Sequence, residues 1–176
     1  MENVRKLEET VASWYKNAPH LPKEASRWIA TNAWWLTLIG LIFGAFGVVS
    51  VISLTFLAGA LLAGFGGVVG AAIGGLAFVA VLIALLFSVV ILVILATAIQ
   101  PLKAMSKKGW NLLFLVMLIE VASLAVTLLL TFDVFGTIWS LLWAAVGGYF
   151  LFEIRQHYGA SKKVVEAKVQ PKPTSK

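Results

Sequence analysis

The sequence predicts an all-α integral membrane protein, with four transmembrane helices arranged as two hairpins, an N-terminal amphipathic helix and both termini cytoplasmic. Three observations carry this. Hydrophobic residues make up 60% of the 176 and charged residues only 12%, with a mean hydropathy of +0.94, outside the range of soluble domains. Between Arg27 and Lys103 lie 75 consecutive residues without Asp, Glu, Lys or Arg. All fourteen basic residues fall into three segments that can share one side of a bilayer. The same composition excludes disorder for most of the chain, and the absence of cysteine excludes disulfides and thiolate chemistry.

Residues 1–32 form a cytoplasmic or interfacial segment. Within 2–17, Val4, Leu7, Val11 and Trp14 recur at helical spacing, with Arg5, Lys6, Glu8, Glu9 and Lys16 on other faces, and Pro19 ends the helix. This pattern reads as a helix lying on the inner leaflet, with packing against the basic loop or a neighbouring subunit as the alternative. Its nearly balanced charge argues against strong attraction to anionic lipid. Leu21-Pro22-Lys23-Glu24 resembles a second helix start, with proline in the first turn, that runs on into the first span. No apolar core of signal-peptide type precedes that span, so it is expected to act as an uncleaved anchor.

Residues 33–100 form the first hairpin. As one helix the uncharged stretch would extend about 110 Å, against a hydrocarbon core of about 30 Å, so the chain must turn inside it. The glycine-rich stretch 58–73 is the expected turn, giving spans 33–57 and 75–100. If 59–75 is helical instead, the hairpin projects beyond the bilayer. A three-span reading places Lys103, Lys107 and Lys108 on the outer side and ranks second, while a re-entrant 58–73 keeps the charge rule and stays open.

A basic cytoplasmic loop, 101–109, leads to the second hairpin, 110–154. Its spans, 110–131 and 137–154, are separated by Phe132-Asp-Val-Phe-Gly136, a short outer turn. Tryptophans agree with these limits: Trp28, Trp34, Trp35 and Trp110 anchor the inner interface and Trp139 the outer one. Residues 155–176, with six basic residues and two prolines, read as a basic disordered cytoplasmic tail. The inner leaflet is its nearest anionic partner, and no nucleic acid is expected. In architecture alone, two hydrophobic hairpins with cytoplasmic ends resemble the membrane-shaping hairpin proteins of the reticulon-like group. No residue motif accompanies that resemblance, and no function is carried over from it.

Two features stand out within the spans. Gly40, Gly44 and Gly47 share a face of the first span, and Gly66, Gly70 and Gly74 recur at four-residue intervals. Small residues of this kind let helix backbones approach where lipid gives no hydrophobic drive, either within one bundle or between subunits. Glu120 lies in the middle of the third span, where a charge costs roughly 2.5–3.5 kcal/mol on insertion scales. No basic residue is available inside any span, so a protonated carboxyl held by hydrogen bonds is the cheapest arrangement. Ser123, Thr127 and Thr131 continue a polar stripe from it, and Ser88 and Gly44 fall at about the same depth.

Asp133 and Glu153 read as solvated, and His20 and His157 have no second ligand at metal spacing. No catalytic set or nucleotide loop is present, so no enzyme, metal or cofactor is expected. The reading is a non-enzymatic multi-pass protein, in the cytoplasmic or inner cell membrane, acting as a subunit or scaffold through its glycine faces as a homo-oligomer or with a membrane-protein partner. The alternative is a small proton- or cation-coupled transporter or channel that uses Glu120.

Overall fold

The computed structural model describes residues 2–159, and these are helical almost throughout, with no strand among them. Most of the basic tail lies outside the described residues. Helix α1 runs Glu2–Tyr15, α2 Lys23–Lys103, α3 Lys107–Thr131 and α4 Val134–Ile154, followed by a single 3₁₀ turn at Arg155–His157. Three of them, α2, α3 and α4 with its 3₁₀ turn, are long and apolar enough to cross a membrane.

Helix α2 is 81 residues long and is broken once, at Gly67, whose φ of 56° and ψ of −142° leave the helical region. That backbone suits only glycine. Contacts on either side of the break define two arms lying side by side in opposite directions. Lys103 Nζ stands 5.2 Å from the Trp34 ring, Phe56 meets Phe78 edge to face at 6.3 Å, and Leu62 faces Gly74. A methyl group on Gly44 would come within 2.8 Å of Leu92. The expected turn of 58–73 thus contracts to one residue, and the glycine-rich sequence around it is helix. Apolar side chains and glycines alone supply no capping group that would stop a helix earlier, so the break is confined to one of the several glycines able to adopt it.

The two later connections are short and capped by side chains. Ser106, the N-cap of α3, accepts from Gly109 N–H at 3.4 Å and donates to Pro101 O at 3.0 Å. Gly109 is needed here, because a Cβ would lie 2.7 Å from Leu102 N. At the other end Phe132 closes α3 in the left-handed region and Asp133 caps α4 by accepting from Gly136 N–H at 2.9 Å. A side chain on Gly136 would displace that carboxylate.

Helix α3 runs back along the second arm of α2 from the Leu102–Gly109 contact. Counted from there at the rise of a helix, Thr131 is level with about residue 80 of α2. The remaining 13 or so residues to Gly67 carry the tip of the first hairpin about 20 Å past the α3–α4 turn.

The buried core sits at the opposite end, where the 104–106 connection, α1 and the 3₁₀ turn meet. Val11, Ala30, Ala33, Ala98, Leu102, Trp110, Phe114, Leu151, Ile154 and Tyr158 form one cluster there. Alanines at 30, 33 and 98 leave room for the Trp110 ring, which is fully buried, stacks on Phe114 at 5.4 Å and donates its indole N–H to Leu151 O at 2.8 Å. Trp110 therefore differs from the interfacial anchor the sequence suggests: its one polar atom finds a carbonyl inside the bundle. Trp28, Trp35 and Trp139 are exposed and Trp34 is half-buried.

Candidate functional site

Two groups of polar residues stand out, one in the apolar middle of the bundle and one at the end that holds the buried core.

Glu120 faces the space between helices. On one side of α3 it lines a groove with Gly40, Gly44, Gly47 and Ser88, walled by leucine, isoleucine and valine side chains of both α2 arms. On the other side it lines a second groove with Met117, Trp143, Gly147 and Gly148 of α3 and α4. The expected common depth of Glu120, Ser88 and Gly44 is what the groove displays. Among the described residues its carboxyl has no hydrogen-bond or ion-pair partner, while its backbone carbonyl accepts from Ser123 O–H at 2.8 Å.

The neighbouring hydroxyls do not serve the carboxyl. Ser88 donates to Ala84 O at 2.9 Å and Thr131 to Thr127 O at 2.9 Å, so the stripe satisfies itself along its own helices. Ser123 and Thr127 line neither groove.

The glycines divide by environment. Gly44 touches Leu92 within the chain, and Gly70 and Gly74 face Leu62 across the tip, whereas Gly40, Gly47 and Gly66 have open space where a Cβ would stand. Because the chain reverses at Gly67, Gly66 belongs to the first arm and Gly70 and Gly74 to the second, and their four-residue spacing makes no single face.

The cluster at the buried core was not legible from spacing. Glu8 is 8% exposed and accepts from Lys107 Nζ at 3.1 Å and Arg155 Nη2 at 2.5 Å. Both cations lie over the Trp110 ring, at 3.9 and 5.5 Å. Glu153 pairs with His20 Nδ1 at 2.7 Å and accepts Leu21 N–H at 3.2 Å, so it is a partly buried anchor rather than a solvated carboxylate. Ser26, fully buried, donates to Glu153 O at 3.0 Å beside His157 Nε2. Tyr158 donates to Ala30 O at 2.8 Å, and burial pushes its phenol up to about 12. Tyr15 stacks on Phe152, donates to Ala145 O at 3.1 Å and is also raised by burial, while Tyr149 O–H bonds Pro19 O.

Helix α1 is therefore docked on the bundle through Glu8, Val11 and Tyr15, at spacings of three and four. Of the predicted apolar face Leu7 and Trp14 stay exposed. The available signal was Glu8 beside Val11 in a helix whose charges nearly cancel, which favours a protein partner over lipid. Among the described residues no group of three or more metal-ligating side chains occurs. No protein-family model matches the chain, and no curated protein or solved structure matches it.

Proposed function

We propose that this chain is a non-enzymatic membrane protein that crosses the bilayer four times, with both termini and the 104–106 connection on the cytoplasmic side of the inner or cell membrane. Its work is assembly, seating a transmembrane helix of a second copy or of a partner protein in the groove between Gly40, Gly47 and Glu120. The observation that carries this is the combination in that groove: glycine backbone open to approach, and an intramembrane carboxyl with no donor among the described residues. A neighbouring helix that presents a hydrogen-bond donor satisfies the carboxyl and gains close backbone packing together.

The charge map supports the orientation. Among the described residues, Lys23, Arg27, the lysines at 103–108 and Arg155 gather where Trp28, Trp34, Trp110 and the polar cluster lie, while the opposite end carries one charged residue, Asp133. The test is association in native membranes, read by cross-linking and by mass in mild detergent. Gly47→Leu enters the groove from a position where a Cβ meets nothing within 4 Å and is expected to abolish association. Gly44→Leu strikes Leu92 and is expected to disturb the fold first. A monomer in both membrane and detergent, with no co-purifying membrane protein, contradicts the proposal.

A second reading, transport of a proton or cation, is favoured by the position of Glu120 between two grooves on opposite sides of α3. Proton-driven flux in liposomes that disappears in Glu120→Gln would select it over assembly.

A further inference from the structure

The two connections that the four-crossing reading places on the outer side are unlike each other. The α3–α4 turn has the features of a membrane surface: Asp133 as a cap, with Phe132, Phe135 and Trp139 around it. The tip of the first hairpin has none of these. Over residues 57–79 there is no charged side chain, no hydroxyl, no amide, no Tyr and no Trp. Its apex is the most open part of the described chain, with Phe65 90% and Val68 88% exposed, and it packs on nothing but its own two arms.

Such a surface does not rest in water, since exposed apolar patches of more than a few hundred Å² mark interaction sites. Nor does tilt return it to the hydrocarbon of its own bilayer. Between Trp34 and Gly67 the first arm extends about 50 Å, so fitting it into about 30 Å requires a tilt beyond the 0–40° seen for membrane helices. The second hairpin, packed alongside, already matches the core at about 33 Å from Trp110 to Thr131.

The chemistry of the tip separates a lipid occupant from a protein one. Protein interfaces carry roughly one hydrogen bond per 100–200 Å² and favour Tyr, Trp and Arg, whereas hydrocarbon asks for apolar side chains and internally satisfied backbone. Here two helices meet at a single non-helical residue, so the backbone groups left without an intrahelical partner are confined to the turns on either side of Gly67. The apolar surface is also continuous with the lipid-facing surface of the same helices below it.

We propose that the tip of the first hairpin, residues 57–79, enters the hydrocarbon of an apposed lipid bilayer, so that the protein bridges two membranes in close contact. The reach is sufficient. Of about 20 Å beyond the α3–α4 turn, the headgroup layers of the two facing leaflets take about 6 Å each, leaving about 8 Å in the second hydrocarbon layer, comparable to the 5–10 Å of interfacial apolar elements. This inference rests on the four-crossing reading for the side on which the tip stands.

The chain has no cysteine, so Phe65→Cys gives a unique site for an environment-sensitive NBD label on the full-length protein. The labelled protein is reconstituted in phosphatidylcholine/phosphatidylglycerol vesicles, and protein-free acceptor vesicles of the same lipids, with or without a doxyl-lipid quencher, are added. The label is dim in water and bright in hydrocarbon, so the expected result is a rise in NBD emission with acceptors lacking doxyl lipid that is quenched in acceptors carrying it, and neither change in Phe65→Cys combined with Val68→Asp. Emission unchanged by acceptors overturns the proposal, whether the label is quenched by doxyl lipid in the host vesicles, which places the tip in its own membrane, or by neither, which places it against a second copy. A second label at Phe135→Cys, exposed beside the other turn, reads the topology separately through an aqueous quencher. If that label and the tip label, measured without acceptors, respond from opposite sides, the four-crossing reading has failed. If they respond from the same side and acceptors have no effect, only the bridging inference has.

Discussion

The end with the Trp110 core, inner in the four-crossing reading, and the opposite, outer end are built on opposite principles. At the inner end one tryptophan organises the packing: Trp110 is buried among alanines and aromatic rings, two cations stand over it, and Glu8 ties those cations to α1. Directional hydrogen bonds from Tyr158, Ser26 and Trp110 fix the helix ends to one another. At the outer end of the first hairpin there are no directional bonds between side chains among the described residues, only helix, glycine and exposed apolar groups. Burial and polar pairing therefore hold the bundle where the chain ends and connections gather, and the far end is left to whatever apolar medium surrounds it.

Substitutions at the inner end should be costly in proportion to what they remove, and those at the tip should cost the fold nothing. Trp110→Ala removes the largest buried ring and an internal hydrogen bond and should destabilise by about 3–5 kcal/mol, seen as a lower thermal unfolding temperature in detergent. If it is tolerated, the inner core is not the keystone. Glu8→Ala releases Lys107 and Arg155. Because both cations are more than a third exposed and screened by water, the cost should be smaller, about 1 kcal/mol. Its signature is faster proteolysis of α1 with the helices behind it unchanged.

Tyr158→Phe loses one buried hydrogen bond, worth about 1 kcal/mol. It also changes the alkaline limb of stability. The folded-state value near 12 lies above the usual 10.0, so the contribution of Tyr158 is complete below pH 10 and is lost as pH rises towards 12. The phenylalanine variant should lack that loss. Phe65→Ala, at the apex, should leave thermal stability within about 0.5 kcal/mol of the parent, as for surface changes generally. A larger drop would mean that the tip is packed against something.

How far the sequence reveals this arrangement depends on the kind of information each part needs. Helical character, the limits of α3 and α4, and the reversal inside the uncharged stretch follow from hydropathy, Asp133 and glycine content. The grouping of Glu120 with Ser88 and Gly44 follows from counting depth along antiparallel helices. Gly67 as the one turning residue could not be singled out, because several neighbouring glycines are equally free to adopt that backbone and the choice is set by how the arms pair. The contacts of Glu8, Glu153 and Tyr158 were invisible for a different reason. Each spans about 100 residues or more in sequence, and nothing local distinguishes a juxtamembrane carboxylate that meets a partner from one that meets water. Trp110 is the clearest instance, since a tryptophan at a helix start looks like a membrane anchor until the alanines facing it are placed.

The central claim is that the basic, hydrogen-bonded end faces the cytoplasm and both turns face outward. The direct measurement is labelling of single cysteines by a membrane-impermeant maleimide in intact cells and again after lysis, with Lys108→Cys for the inner connection and Phe135→Cys for the outer turn. Phe135→Cys is expected to react in intact cells and Lys108→Cys only after lysis. Reaction of Lys108→Cys in intact cells, or of both sites from one side, would contradict it.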